Sequence, residues 1–230
     1  MDLPETLVII AALNEEEGIG PTLAELQEVL GDPLFLVVDG NSIDRTVEIA
    51  KEFGARVIIQ TKPGKGRAIS KALVDISYDP KYVVFTDADF TYPAKHVLNM
   101  IQILNEKPDV GMVTGNRFNP FLTPEAMKNP FYAGNRLLAI AHRIFNGVEL
   151  ADPLTGLRVV RWEILKSWKP KSKGFDIEAE LNYVVERCGY QIIEIPTAYR
   201  ERLGEKKLKL RHGFAILNRI MLDAFRYHLS

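Results

Sequence analysis

Short apolar runs alternate along this chain with segments whose apolar residues recur every third or fourth position. Thr6–Ala11 (T-L-V-I-I-A), Leu34–Val38 (L-F-L-V-V), Arg56–Gln60, Tyr82–Phe85 (Y-V-V-F) and Val110–Thr114 predict strands, and Tyr82–Phe85 has the unbroken apolar character of a strand buried on both faces. Leu23, Leu26, Val29 and Leu30 share one helical face, Arg45–Phe53 predicts a second helix, and Lys95–Leu104 a third, opened by Pro93. This alternation from the first residues onward predicts a doubly wound α/β sheet, mostly parallel and flanked by helices, rather than a bundle or a sandwich. After Phe118 the rhythm changes. Residues 119–130 contain three prolines and read as a mobile loop, Phe131–Phe145 as an amphipathic helix with Arg136 and Arg143, Leu157–Val160 as a strand, the stretch from Phe175 as a helix, and Gln191–Ala198 as a last strand.

Polar chemistry collects where the strands stop. Tyr82–Phe85 runs into Thr86-Asp87-Ala88-Asp89, and side chains i and i+2 of an extended segment share a side, so Asp87 and Asp89 can face one divalent cation, or one can hold it while the other holds a ligand hydroxyl. A lone D-x-D also suits an ordinary turn and helix cap. The functional reading gains because other strand ends, which share one rim in a parallel sheet, also finish in residues suited to polar ligands. Asp39 can accept hydrogen bonds from a base or ribose, while Ser42 or Asp44 caps the next helix. The glycines of Lys62-Pro63-Gly64-Lys65-Gly66-Arg67 allow a close approach to a diphosphate with cations beside it, although this is not a G-x-x-x-x-G-K-[ST] loop. Glu15–Glu17 suit a helix's first turn. In Asp176-Ile177-Glu178-Ala179-Glu180, helical geometry sets Asp176 and Glu180 on one face with Glu178 about 160° away, and at least one of the three is expected to be a solvated charge. Tyr199–Lys209 (Y-R-E-R-L-G-E-K-K-L-K) is a dense basic loop.

Bulk composition narrows the classes. A net charge of -1 over 230 residues gives no support for a nucleic-acid partner, and 47% hydrophobic residues supply an ample core for one domain. A single cysteine, Cys188, and the lack of any N-x-S/T acceptor fit a reducing compartment. No apolar stretch approaches the roughly 18 to 20 residues of a membrane span, and Met1–Glu5 lacks a basic signal start, so the chain is expected to be soluble or peripheral. From Arg211 onward, Phe214, Leu217, Met221, Ala224 and Phe225 form an apolar stripe that packs on its own domain or lies on an anionic membrane surface.

The ordered set A-A-L-N-E, V-V-D-G-N-S-I-D-R-T, K-G-K-G, T-D-A-D, G-N-R-F, D-P-L-T-G and R-E-R-L-G-E-K-K-L resembles the family 2 glycosyltransferases of the GT-A, Rossmann-like nucleotide-diphospho-sugar transferase fold. It is most similar to the polyprenyl or dolichyl-phosphate hexose synthases. The resemblance implies a catalytic domain over residues 1–210, with residues 211–230 as a C-terminal amphipathic helix. It implies an inverting transfer of a hexose, mannose ahead of glucose, from GDP-mannose or UDP-glucose to polyprenyl or dolichyl phosphate, at the cytoplasmic face of a membrane whose surface, or a membrane-protein partner, receives the tail.

The resemblance also implies residue roles. Ala12, Glu15 and Asp39, with Lys65, Gly66 and Asp87, would hold the nucleotide diphosphate; Asp87 and Asp89 would hold Mn²⁺ or Mg²⁺, with Thr91 where relatives often carry Gln; and Arg117, Arg136, Arg202 and Lys207 would steer the acceptor phosphate beside Asp89. Two departures stand out: Gly40 replaces an acid, and Lys206 replaces the usual Ser before Lys207. A phosphate nucleophile needs no base. A hydroxyl acceptor, soluble or polysaccharide, would need one, with Asp152, Asp176 and Glu178 as candidates. A non-catalytic nucleotide-sugar binding subunit is the remaining alternative.

Overall fold

Parallel strands need crossovers, and the helices that make them here cover both faces of one sheet. The computed structural model describes residues 6–31, 33–118, 130–209 and 211–227; the proline-rich stretch 119–129 and Met1–Glu5 lie outside the described residues. Strands β1 (Thr6–Ala12), β2 (Leu34–Asp39), β3 (Arg56–Ile59), β4 (Tyr82–Asp87), β5 (Val110–Asn116), β6 (Arg158–Arg161) and β7 (Gln191–Pro196) pair in the order β3-β2-β1-β4-β6-β5-β7. The first four pair in parallel and β7 pairs in parallel with β5, while β6 is antiparallel to both of its neighbours. Both ladders of β6 are antiparallel, so β5 and β7 run in the same direction as β4. The carboxyl ends of the other six strands therefore meet the amino end of β6 along one rim.

Helices α1 (Glu16–Leu30), α2 (Thr46–Glu52) and α4 (Lys95–Glu106) cover one face, where Leu23, Leu26, Val97, Met100 and Leu104 pack on Val8, Ile10 and Val84. Helices α3 (Lys65–Asp75), α6 (Trp162–Ser167) and α7 (Ile177–Arg187) cover the other, where Ile69, Trp162, Leu165 and Leu181 meet Leu7, Ile9 and Val83. Alternate residues of β1 and β4 thus enter different cores, as period-2 geometry requires. Two helices went unanticipated in the sequence. The run K-P-G-K-G-R signals a turn, yet α3 begins inside it, because Ala68, Ile69 and Ala72 give it an apolar face that packs against the sheet. Trp162–Ser167 is less than two turns long.

Helices α5 (Pro130–Asn146) and α8 (His212–Tyr227) pack on each other through Leu138, Ala141, Ile216 and Ile220, with Ala179 of α7 beneath. In the same layer His142 is 1% exposed, and burial, helped by the Arg158 cation, pushes its imidazole from the ordinary 6.5 down to about 4. A folded-state value below the unfolded one means that the unfolded chain takes up the proton first as pH falls. The contribution is therefore complete above about pH 6.5 and lost on descending to about pH 4, with a size on the order of 3 kcal/mol. Urea unfolding of the wild type and of His142→Leu at pH 7 and pH 4.5 should show the variant losing less stability on acidification; equal losses would contradict this.

Candidate active site

The rim concentrates backbone strain. All three non-glycine residues with positive φ among the described residues lie in strand-end loops: Asn14 (49°) after β1, Asn41 (71°) after β2 and Phe90 (62°) after β4. An aromatic residue in the left-handed region is costly and persists only where its surroundings hold it. Phe90 is held by a hydrogen bond from its N–H to Thr22 Oγ1 at 3.0 Å and by the Arg200 guanidinium 4.2 Å from its ring centroid. Its kink lets the chain pass from Asp89 to Thr91, whose hydroxyl and N–H both donate to Asp89 Oδ1, at 2.6 and 3.2 Å. Thr91 thus orients Asp89. Close packing completes the turn: a Cβ on Gly18 would stand 2.5 Å from the Ala88 carbonyl oxygen and 2.7 Å from Asp89 Cα, so α1 begins flush against the D-A-D segment.

Each carboxylate of the D-A-D turn meets a cation from a distant part of the chain. Asp87 Oδ1 accepts from Lys65 Nζ at 2.6 Å, and the same ammonium lies 2.6 Å from Glu178 Oε1 at the start of α7. Asp89 Oδ2 accepts from Arg202 Nη1 at 2.7 Å, while Nη2 of that guanidinium donates to Glu15 Oε1. Burial alone would raise the Asp87 carboxyl, but the Lys65 ammonium brings it below the ordinary range. Asp89 goes the other way, raised by burial and then by the neighbouring charge of Asp87. Glu15 is likewise raised by burial, against the pull of Arg202 and Lys207.

The basic loop after β7 is tied to the turn by its backbone, with Arg200 N–H on the Thr91 carbonyl at 2.9 Å and Leu203 N–H on the Asp89 carbonyl at 3.1 Å. Arg200 itself faces away, forked onto Glu25 at 2.7 Å through both nitrogens. Lys207 Nζ donates to the Asn14 carbonyl at 2.9 Å and lies 3.6 Å from Glu15 Oε1. Lys206 holds its ammonium 3.4 Å from the Phe131 ring centroid; burial and then repulsion from Arg117 and Arg202 push it below the usual lysine range. Replacing Arg202 by lysine removes the two-armed fork that spans Asp89 and Glu15 and leaves one shorter-reaching point charge in its place. Arg202→Lys should lower kcat/KM for donor turnover about tenfold, read from initial rates of nucleoside diphosphate release; full activity would show that bridging the two acids is dispensable.

On the other side of Asp87 stands the turn before β6. Arg117 forks onto Asp152 at 2.7 Å through Nε and Nη2, and Asp152 outweighs burial to hold the guanidinium well above its ordinary range. Glu194 of β7 takes the N–H groups of Ala151 and Asp152 at 2.6 and 2.7 Å. Fully buried Arg158 grips the turn from within, donating to the carbonyls of Thr155 at 2.9 Å and Pro153 at 2.7 Å and to Asn182 Oδ1. Tyr92 closes it from above: its hydroxyl accepts from Gly156 N–H at 2.8 Å, and its ring meets Tyr199 edge-on at 5.2 Å. Glu194 and Tyr92 carry no short sequence signal, because each acts through a contact far away in the chain.

The predicted residues thus divide. Glu15, Lys65, Asp87, Asp89, Arg202 and Lys207 form one linked charge cluster, with Thr91 hydrogen-bonded to Asp89 and Arg117 in the adjoining turn. Ala12 ends β1, paired in register with Asp39. Asp39 is fully buried and turned into its own loop, taking Ser42 N–H at 2.7 Å and Ser42 Oγ at 2.5 Å. Asp44 accepts Thr46 N–H at 3.0 Å and Glu16 N–H at 3.1 Å, the capping role expected of it. Gly66 is pressed against the chain itself, its N–H on the Gly174 carbonyl at 3.0 Å and an added Cβ only 2.7 Å from the Ser172 carbonyl carbon. The close approach expected of a ligand is made there by residues 172–174. Arg136 lies on the exposed side of α5 and makes no ion pair with the cluster. The expectation of a solvated acid on α7 is corrected. Asp176 and Glu180 face Arg219 at 3.4 and 3.9 Å, and Glu178 faces Lys65, because the rest of the domain closes over both sides of that helix.

A mostly parallel sheet with an inserted antiparallel strand, and an Asp pair at its carboxyl rim, define a nucleotide-sugar transferase fold of the GT-A type. The model of glycosyl transferase family 2 matches residues 7–166, and the chain belongs to that family. A dolichyl-phosphate hexose transferase of Haloferax volcanii is 35% identical over 214 residues, covering 92% of this chain and 90% of that one. A glucosyl-3-phosphoglycerate synthase of Petrotoga mobilis is 30% identical over 201 residues, 79% of this chain and 61% of that one. Among solved structures, the glucosyl-3-phosphoglycerate synthase of Mycobacterium tuberculosis in complex with Mn²⁺, UDP-glucose and phosphoglyceric acid superposes with a TM-score of 0.73 at 23% identity, over 96% of this chain and 80% of that one.

Proposed function

We propose that this family 2 glycosyltransferase moves a hexose from a nucleotide sugar, GDP-mannose or UDP-glucose, to a polyprenyl phosphate, with inversion at the anomeric carbon. One observation carries the choice of a phosphate acceptor: each of the three carboxylates that the sequence offers as a base is already paired with a cation. Asp152 is forked onto Arg117 at 2.7 Å, Asp176 faces Arg219 at 3.4 Å and Glu178 faces Lys65 at 2.6 Å. A hydroxyl acceptor needs one of them free. A phosphate monoester, whose second pKa is about 6, attacks without giving up a proton. It needs cations to bring it up to an anionic donor: Lys206, whose ammonium lies over the Phe131 ring, stands within charge range of Arg117 and Arg202, which would give up part of their pairing with Asp152 and Asp89 to the incoming phosphate.

The donor set suits a divalent cation. Among the described residues no group of three or more His, Cys, Asp or Glu is arranged to enclose a metal, whereas Mg²⁺ or Mn²⁺ shared with a diphosphate asks for only one or two carboxylates. Asp87 and Asp89 provide two, and Lys65 and Arg202 already stand at them as positive charges. When bound, such a cation would stabilise the charge that grows on the departing diphosphate. Glu15 Oε2, buried and without a hydrogen-bond partner, together with the strained Asn14 and Asn41 loops, suits the nucleoside end of the donor, beside Ala12 and Asp39.

A second reading, transfer to a soluble phosphorylated acceptor, is supported by the 30% identity to a glucosyl-3-phosphoglycerate synthase. One experiment separates them. Incubation with radiolabelled GDP-mannose or UDP-glucose, Mn²⁺ and either dolichyl phosphate or 3-phosphoglycerate should move label into organic-extractable product only with the lipid. Label that remains wholly water-soluble would overturn the lipid reading, and label transferred to 3-phosphoglycerate would establish the second.

A further inference from the structure

Two cations stand at the D-A-D turn, and each holds one aspartate of the pair together with one glutamate outside it. Lys65 Nζ lies 2.6 Å from Asp87 Oδ1 and 2.6 Å from Glu178 Oε1. Arg202 repeats the arrangement, with Nη1 on Asp89 Oδ2 at 2.7 Å and Nη2 on Glu15 Oε1. A divalent cation shared with a diphosphate binds through oxygens of the same two aspartates. An ammonium already seated on Asp87 competes for those oxygens, and like charges repel more strongly in a half-buried site than in water. Loading such a site therefore requires one of the partners at Asp87 to move.

Packing leaves that motion to the ammonium. Asp87 is walled by the turn before β6, where a Cβ on Gly156 would stand 2.7 Å from its Cγ. The backbone of Lys65 is fixed as well, because the glycines on either side of it press on residues 172–174. Gly66 N–H donates to the Gly174 carbonyl at 3.0 Å, and a Cβ on Gly64 would collide with the Lys173 carbonyl. What remains free to turn is a four-carbon stem with three donors at its end. Glu178 is already within reach of it, in the first turn of α7, where the amino end of a helix favours negative charge. The buried Arg158 guanidinium lies within charge range of Glu178 too. Since residues 172–174 lead directly into α7, the base of the lysine stem and its second carboxylate are held at a fixed separation.

We propose that Glu178 is a positioning residue that takes the Lys65 ammonium from Asp87 when a divalent cation and a nucleoside diphosphate arrive. The handover frees a carboxylate oxygen for the metal and keeps the lysine charge beside the diphosphate. Without Glu178 the ammonium has Asp87 as its one ion-pair partner among the described residues, and it holds that oxygen against the metal. The inference rests on Asp87 and Asp89 as the metal ligands of the proposed transferase, and is independent of the choice of acceptor.

Calorimetric titration of the full chain with GDP or UDP, once with Mn²⁺ and once with EDTA, tests the handover. Neither probe carries a hexose, so a contact of Glu178 with the sugar does not enter. Mn²⁺ should tighten binding to the wild type. Glu178→Gln should lose about tenfold of that metal-dependent gain and match the wild type in EDTA. In a Lys65→Met background, whatever its own affinity, the same change should alter the gain by no more than about twofold, because no ammonium is left to hand over. Glu178→Asp, which keeps the charge on a shorter stem, should lose less than Glu178→Gln, and it serves in the same cycle if the amide variant has no cooperative melt. A full metal-dependent gain in Glu178→Gln would overturn the proposal. An equal loss with and without Lys65 would do so as well, since Glu178 would then act on the metal through its own charge. Diphosphate binding to the wild type that is the same in Mn²⁺ and EDTA would remove the metal reading and the handover with it. The coupling found in an enzyme that transfers only to a soluble acceptor would support the handover and remove the lipid reading alone.

Discussion

Asp89→Asn should lower sugar transfer by about a thousandfold while the protein stays folded. Asp89 Oδ2 holds one arm of Arg202 at 2.7 Å, and its other oxygen organises Thr91. An amide of the same shape keeps the packing but presents no charge to a cation and releases Arg202 to Glu15 alone. Folding has little stake in that charge, since burial and the neighbouring Asp87 both disfavour ionised Asp89. The thermal midpoint should therefore hold or rise as the activity disappears. Initial rates of nucleoside diphosphate release, with a calorimetric melt of the same sample, test both halves. A variant that retains a tenth of the wild-type rate would remove Asp89 from the chemistry, and a collapsed melt would make its role structural.

Gly156→Ala, at the last residue of the D-P-L-T-G turn, should cost about a hundredfold in kcat/KM. A Cβ at Gly156 would fall on the Asp87 carboxylate, 2.7 Å from Cγ and 2.9 Å from Oδ1. The atoms it would meet belong to the Asp87 side chain, which Lys65 Nζ holds at 2.6 Å, so relief of the clash moves a tethered carboxylate or the turn itself. Either Asp87 swings away from Lys65 or the 152–156 turn lifts off Tyr92, and both displace groups by distances that matter for in-line transfer. Gly134→Ala is the control, because open space surrounds that position in α5. It should be silent in rate and neutral or slightly stabilising in a melt. If Gly156→Ala and Gly134→Ala behave alike, the contact between the turn and Asp87 has no functional weight.

Both predictions touch the boundary between what could be read along the chain and what could not. The D-A-D turn was legible because its cause is local: an apolar strand stops, and alternation puts two carboxylates on one side. The capping role of Asp44 was legible for the same reason. Helix α3 was hidden because Pro63, Gly64 and Gly66 signal a turn across the point where the helix starts, and its Gly66 serves chain packing. The three acids of α7 have the spacing of a solvated first turn, and only the arrival of Lys65 on one side and Arg219 on the other makes them ion-pair partners.

By itself, then, the sequence determined the alternating α/β architecture, the rim on which polar residues would meet, and the pair of aspartates at its centre, because hydrophobic period, strand ends and turn residues act over a few positions. Tertiary structure decided which cation answers each carboxylate, which candidate bases are taken up in pairs, and that α5 and α8, far apart in the chain, pack on each other. Those outcomes depend on contacts between segments separated by tens of residues. Such contacts are selected by the packing of the whole domain and leave no periodicity in any one stretch to read.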